Sequence, residues 1–180
     1  AVFFAEPEGK DVVYDAATYR RLKRWFWRTC FSARYSSQTR KTTIHDIEQA
    51  ELLKNGQPNT FGDIDLKVDE TFFKNSFRVG AAATKTFVLM LSNNSPKSLL
   101  SGKEIDLDRM LQGYNRSEFH HTYPRAFLRE NGYEEAAINM LANFCFLSAA
   151  ENRHIGRKRP SVYLKDLGGP EHNVDETLAS

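Results

Sequence analysis

The sequence predicts an α+β fold that is mainly helical, with a small strand–strand–helix unit near its C-terminal end. Apolar residues recur at helical spacing in several segments before residue 110. After Gly113 the texture changes to short apolar runs divided by Pro and Gly, ending in a capped helix. The division this suggests is a helical lobe over residues 1–112 and a mixed unit over 113–180.

Taken in order, the first helix is expected from Asp15, a capping residue, to about Ala33. Tyr19, Leu22, Phe26 and Cys30 form its stripe, with Trp25 and Trp27 beside it, and most of these aromatics are expected in the core. A second helix is expected over Thr43–Lys54, with Ile44, Ile47 and Leu52 on its apolar face and Asn55-Gly56 as its stop. Val68–Ser76 and Ala81–Leu91 suggest further helices, the latter ending in the turn-forming run from Ser92 to Pro96. Glu118–Tyr123 reads as a short strand stopped by Pro124, and Arg125–Glu130 as a helical turn or two closed by Asn131-Gly132. Tyr133–Leu141 reads as a helix and Asn143–Leu147 as a compact apolar strand. Ser148 and Glu151 have the spacing of a capping box for a final helix limited by Gly156 and then by Pro160.

Composition sets outer bounds. With 180 residues, 41% hydrophobic and 27% charged, the chain is that of an ordinary globular protein able to bury a core. No window holds the roughly 18 uninterrupted apolar residues of a membrane helix. The opening AVFFAEPEGKD lacks the pattern of a signal peptide and an initiator Met, so the chain reads as a piece of a longer protein. Cys30 and Cys145 stand apart among apolar residues and read as small core hydrophobes, which suits a reducing cytoplasm. The net charge of +2 conceals a strong asymmetry. From Arg20 to Lys41 there are Arg20, Arg21, Lys23, Arg24, Arg28, Arg34, Arg40 and Lys41 and no acid; Arg153, Arg157, Lys158 and Arg159 form a second cluster. Such patches suit a polyanion, since neutralising phosphates releases counterions; a solvated helix face accounts for either patch equally well.

Phosphodiester hydrolysis needs a base to activate water and a cation to neutralise developing charge. His120-His121 offers two adjacent imidazoles, one able to bind metal and the other to take a proton. A regular strand would point them to opposite faces, so joint action requires a bulge or the strand's end, near Pro124. Taken singly, Asn143 reads as a turn residue and Asn152 as a solvent-facing helix residue. His154 is a ligand by residue type, and His45 and His172 have no partner that the sequence names.

The segments EFHHTYPRAFL and NMLANFCFLSAAENRHIGRKRPSVYL resemble the HNH nuclease motif, the His-Me finger or ββα-metal fold. More narrowly, they resemble the C-terminal nuclease region of GmrSD-like modification-dependent restriction proteins. The match rests on His120, His121, Pro124, Asn143, Leu147, Asn152, Arg153, Ile155, Lys158, Pro160, Ser161, Tyr163 and Leu164, and departs at Thr122, Tyr123 and Glu151. Upstream, RWFWRTCFSARYSSQTR and LLSGKEIDLDRM resemble the same proteins in order and spacing. The resemblance implies that His121 is the general base, that His120 and Asn152 bind metal, and that Asn143 is structural support for the base. His154 is the alternative ligand to Asn152. It implies a divalent ion, Mg²⁺ or Mn²⁺, with Zn²⁺ or Ni²⁺ as substitutes. Arg125, Arg153 and Lys158, with Arg24, Arg28 and Arg34 of the helical lobe, are the expected contacts to double-stranded DNA. An NTPase region is implied N-terminal to this part. Whether the enzyme nicks or, as a homodimer, cuts both strands stays open. The rival readings are a DNA-binding module with a degenerate HNH fold and a helical regulatory or dimerisation domain in which the histidine pair is incidental.

Overall fold

The structure is a computed structural model and describes residues 15–98, 104–105, 119–147 and 149–165. It separates into two compact units, Ala1–Asp69 and Glu70–Ser180. The boundary expected at 112/113 falls outside the described residues. The described chain is mostly helical with a two-stranded antiparallel sheet, an α+β arrangement. Among the described residues no helix is long and apolar enough to cross a membrane.

The first unit is built on α1 (Ala16–Phe31) and α2 (Thr39–Lys54). Asp15 caps α1 as expected, its carboxylate accepting from the Thr18 amide at 2.7 Å. The expected apolar stripe of α1 is not a buried one: Tyr19 is 48% exposed and Phe26 41%. Trp25 is the inward anchor instead, stacking on the buried Phe61 with ring centroids 5.2 Å apart. Behind it, Gly62 adopts φ +83°, a conformation that favours glycine, with Trp25 Cβ only 3.5 Å from where a Cβ would stand.

α2 begins at Thr39, before the expected Thr43, after Gln38 in a left-handed conformation. It stops at Asn55-Gly56 as anticipated. Its buried positions are Asp46 and Ala50, whereas Ile44, expected on the apolar face, is 47% exposed. A single carboxylate selects that face. Asp46 accepts from Trp25 Nε1 at 3.1 Å, Arg34 Nε at 3.0 Å, Arg34 Nη2 at 2.7 Å and the Tyr35 hydroxyl at 2.7 Å. A buried carboxylate is costly unless paired and hydrogen-bonded, and here it is both.

The second unit opens with a 3₁₀ turn at Glu70–Lys74, where the sequence suggested a longer helix over Val68–Ser76. α3 (Ala82–Ser92) follows, burying Thr84, Thr86, Phe87 and Val88. Strand β1 (Phe119–His121), helices α4 (Arg125–Glu130) and α5 (Glu135–Ile138), strand β2 (Phe144–Phe146) and helix α6 (Ala149–Ile155) come next. The expected order of strand, insertion, strand and helix is present. α5 is shorter than the Tyr133–Leu141 helix the sequence suggests. There the chain turns to pair with the segment after the 3₁₀ turn: Phe77 N donates to Asn139 O at 2.7 Å and Leu141 N to Asn75 O at 2.8 Å. Pro160 does not end a helix; it opens α7 (Pro160–Tyr163) at a first-turn position, where its missing N–H has no helical partner to lose. Ser148, the capping residue expected for α6, lies outside the described residues. Glu151 accepts a short hydrogen bond from the Ser98 hydroxyl.

β1 and β2 pair antiparallel, with Phe119 opposite Phe146, His120 opposite Cys145 and His121 opposite Phe144. Alternation along β2 sends successive side chains to two cores. Phe144 and Phe146 join Val88, Phe119, Phe77, Leu91 and Ile105 on one side. Cys145 and Leu147 join Ile155, Tyr163 and Leu164 on the other. The thin sheet is thereby fixed from both faces, and β1 with it.

Candidate active site

His120 and His121 end β1, and the chain turns sharply after them. Three hydrogen bonds to Asn143, which is buried, hold that turn: Thr122 N donates to the Asn143 carbonyl at 2.8 Å, Tyr123 N to Asn143 Oδ1 at 2.8 Å, and Asn143 Nδ2 to the Tyr123 carbonyl at 3.2 Å. Asn143 Nδ2 also donates to Ile138 O at 2.9 Å. From α7, the buried Tyr163 donates its hydroxyl to the Thr122 carbonyl at 2.7 Å. The turn is therefore held from the 3₁₀ turn just before β2 and from α7 at once.

His120 and His121 both line one cleft although they stand on successive strand positions. A cleft of about 270 Å³ is lined by His120, His121, Pro124, Arg125, Ala126, Asn152 and Gly156. Pro124 precedes α4 and is its cap position, so α4 starts at the cleft and delivers Arg125 and Ala126 to it. α6 delivers Asn152, and Gly156, just beyond its end, closes the lining.

His121 is half-buried, its ring against Phe144 with centroids 4.3 Å apart. Burial pushes its pKa below the usual histidine range; a hydrogen bond with Asn139 opposes the shift, and the nearby charges of Arg125 and His120 add to it. A neutral imidazole near neutral pH is the form a general base requires. On β2, burial raises the Cys145 thiol to about 11 and its Sγ lies 3.7 Å from the His120 carbonyl, so it packs as a neutral thiol at neutral pH.

The structure brings together four of the residues singled out from the sequence, His120, His121, Asn152 and Arg125, with Asn143 directly behind them. Arg153 and His154 are exposed on α6 and do not line the cleft, and Lys158 is half-buried. His45 is exposed, and His172 lies outside the described residues. In the first unit Arg24 is exposed. Arg34 is committed to Asp46, and Arg28 donates a short hydrogen bond to the Ile64 carbonyl. The sequence reading overlooked Glu135 and Asn139, which approach His121 from α5. Their i,i+4 spacing is a signal that could have paired them.

No family model matches the chain, and no solved structure matches it. It is similar to an uncharacterized protein of Methanocaldococcus jannaschii, MJ0686, at 23% identity over 159 residues, covering 86% of this chain and 26% of that protein. The chain thus spans about a quarter of the length of the curated relative it matches.

Proposed function

We propose that the chain is a metal-dependent DNA endonuclease of the HNH type, the effector part of a phage-defence restriction system acting on modified DNA. The observation that carries this reading is the cleft shared by His120, His121, Arg125 and Asn152. Two histidines, an asparagine and an arginine line it from three elements, and their side chains carry the groups that hydrolysis of a phosphodiester uses. The resemblance of the same residues to the HNH motif supports the assignment of roles.

Among the described residues no three of His, Cys, Asp or Glu form a metal-binding group. The donor set in the cleft is one imidazole, from His120, and one amide oxygen, from Asn152, beside the base. An ion held by so few protein groups keeps water and phosphate oxygens in its remaining positions, which fits Mg²⁺ or Mn²⁺. When bound, the ion supplies Lewis-acid charge at the phosphate and at the leaving oxygen.

The chain's own residues account for the remaining steps. His121 takes the proton of a water molecule as its oxygen bonds to phosphorus. The P–O3′ bond breaks, and the 3′ oxygen leaves and is protonated by solvent. Arg125 neutralises a phosphate oxygen at the cleft. Asn143 keeps the turn after His121 rigid, so that the imidazole does not have to be ordered during the reaction.

The test is incubation of supercoiled plasmid with the protein and Mg²⁺ or Mn²⁺, beside His121→Ala. Cleavage by the wild type, reduced at least about 100-fold in the variant, is the expected result. Intact plasmid with both proteins, together with a gel shift, would instead establish a DNA-binding module without catalysis. Equal cutting by both would remove His121 as the base.

A further inference from the structure

We infer that Asn139, held in orientation by Glu135, is the positioning residue that keeps the His121 proton on Nε2 and leaves Nδ1 as the basic nitrogen. Its catalytic consequence rests on the nuclease reading; the hydrogen-bond arrangement does not.

The side-chain amide of Asn139 has a defined direction. Its Nδ2 donates to the Glu135 carbonyl at 2.8 Å and to Glu135 Oε2 at 3.1 Å. Reversing the amide would set its oxygen against a carbonyl and a carboxylate, so the orientation is fixed by its partners. Glu135 is held in turn: Arg129 Nε donates to its Oε1 at 2.5 Å, and Arg125 Nη2 lies 3.6 Å from Oε2. The backbone is pinned as well, since Asn139 O accepts from Phe77 N.

With Nδ2 committed, what Asn139 turns toward His121 is Oδ1, 3.4 Å from Nε2. An amide oxygen can only accept. A neutral imidazole beside it therefore carries its hydrogen on Nε2, and its lone pair lies on Nδ1. The contact is long for a hydrogen bond, and the packing of the ring against Phe144, tilted by 43° at 4.3 Å between centroids, limits its rotation. Glu135 thus meets both cleft-lining side chains of this side, Arg125 directly and His121 through Asn139.

The experiment is nitrogen-15 NMR of the histidine rings of the whole chain at a pH where imidazole is neutral. In the wild type His121 should show a protonated Nε2 and a bare Nδ1. In Asn139→Leu, which removes the acceptor at similar size, the two resonances should move toward each other, and exchange of the ring proton with water should quicken about fivefold, the loss of a bond worth about 1 kcal/mol. Asn139→Asp combined with Glu135→Gln keeps an acceptor oxygen for Nε2 and gives the second oxygen an amide to accept from, so it should keep the Nε2–H form, which guards against Leu acting through misfolding. Unchanged ring signals in Asn139→Leu, or a mixed state in that double variant, would overturn the inference. In plasmid cleavage, Asn139→Leu should lower kcat and leave KM in place. A wild type with the Nε2–H signature that cuts no DNA counts against the nuclease reading alone.

Discussion

Asn143 grips Tyr123 by both of its backbone groups, accepting from its N–H at 2.8 Å and donating to its carbonyl at 3.2 Å. One side chain on the 3₁₀ turn before β2 thereby sets the path of the chain immediately after the histidine pair. Asn143→Asp is the informative change. It keeps the oxygen for Tyr123 N–H but removes both Nδ2 donations, to Tyr123 and to Ile138. The buried carboxylate would then face two carbonyls. A loss of about 2–3 kcal/mol is expected by chemical denaturation, with cleavage falling alongside. Wild-type stability in this variant would show that the grip is incidental.

The Asp46 cluster predicts an acid limb of stability. Burial alone would raise the Asp46 pKa, but the hydrogen bonds from Arg34, Tyr35 and Trp25 outweigh it and hold the carboxyl below the usual aspartate range. A group whose folded pKa is depressed stabilises the fold above its unfolded pKa and loses that contribution as pH falls through the folded value. Asp46→Asn should therefore cost about 3 kcal/mol at neutral pH. The gap to wild type should narrow below about pH 4. Denaturant titrations at several pH values check this; a gap that does not change with pH would mean that the charge of Asp46 contributes nothing.

Arg24 and Arg34 come from the same basic segment and should behave differently. Arg34 is bound to Asp46 by two nitrogens, whereas Arg24 is exposed. Arg24→Ala should weaken DNA binding and reduce the slope of log affinity against log salt by about 1, if the segment meets phosphate. Arg34→Ala should lower the melting temperature and leave that slope in place. The reverse pattern would assign the DNA contact to Arg34.

What the sequence made legible was what neighbouring residues decide. Asp15 marks the start of α1, Asn55-Gly56 the end of α2, and Pro124 with Asn131-Gly132 brackets α4, because caps and turns act over three or four residues. The face of α2 was not legible, because it is chosen by a carboxylate whose partners lie 11 to 21 residues away. The early end of α5 has the same kind of cause, the pairing of Asn139 and Leu141 with residues before α3. At the site, the residue types of the histidine pair pointed to chemistry. That both line one cleft depends on the turn held by Asn143 and Tyr163, and the contact of Asn139 with His121 joins residues on either side of α4 and α5. That contact spans 18 positions of sequence, and neither relationship is written in local spacing.

The roles proposed for His120 and Asn152 separate from that of His121 through metal concentration. Both line the cleft, whereas His154 is exposed on α6 outside it. Removing one metal-binding group weakens metal affinity without removing the base, so excess ion should restore the reaction. Asn152→Ala should raise the Mn²⁺ concentration for half-maximal plasmid cleavage by about tenfold or more, and saturating Mn²⁺ should recover most of the rate. His120→Ala should act in the same direction and more strongly, since an imidazole is the better donor. His121→Ala should not recover at any Mn²⁺ concentration, because the loss is of proton transfer. His154→Ala should leave the metal dependence as it is. Should His154→Ala shift the Mn²⁺ requirement while Asn152→Ala does not, the helix contributes its imidazole to the ion and the amide has another role.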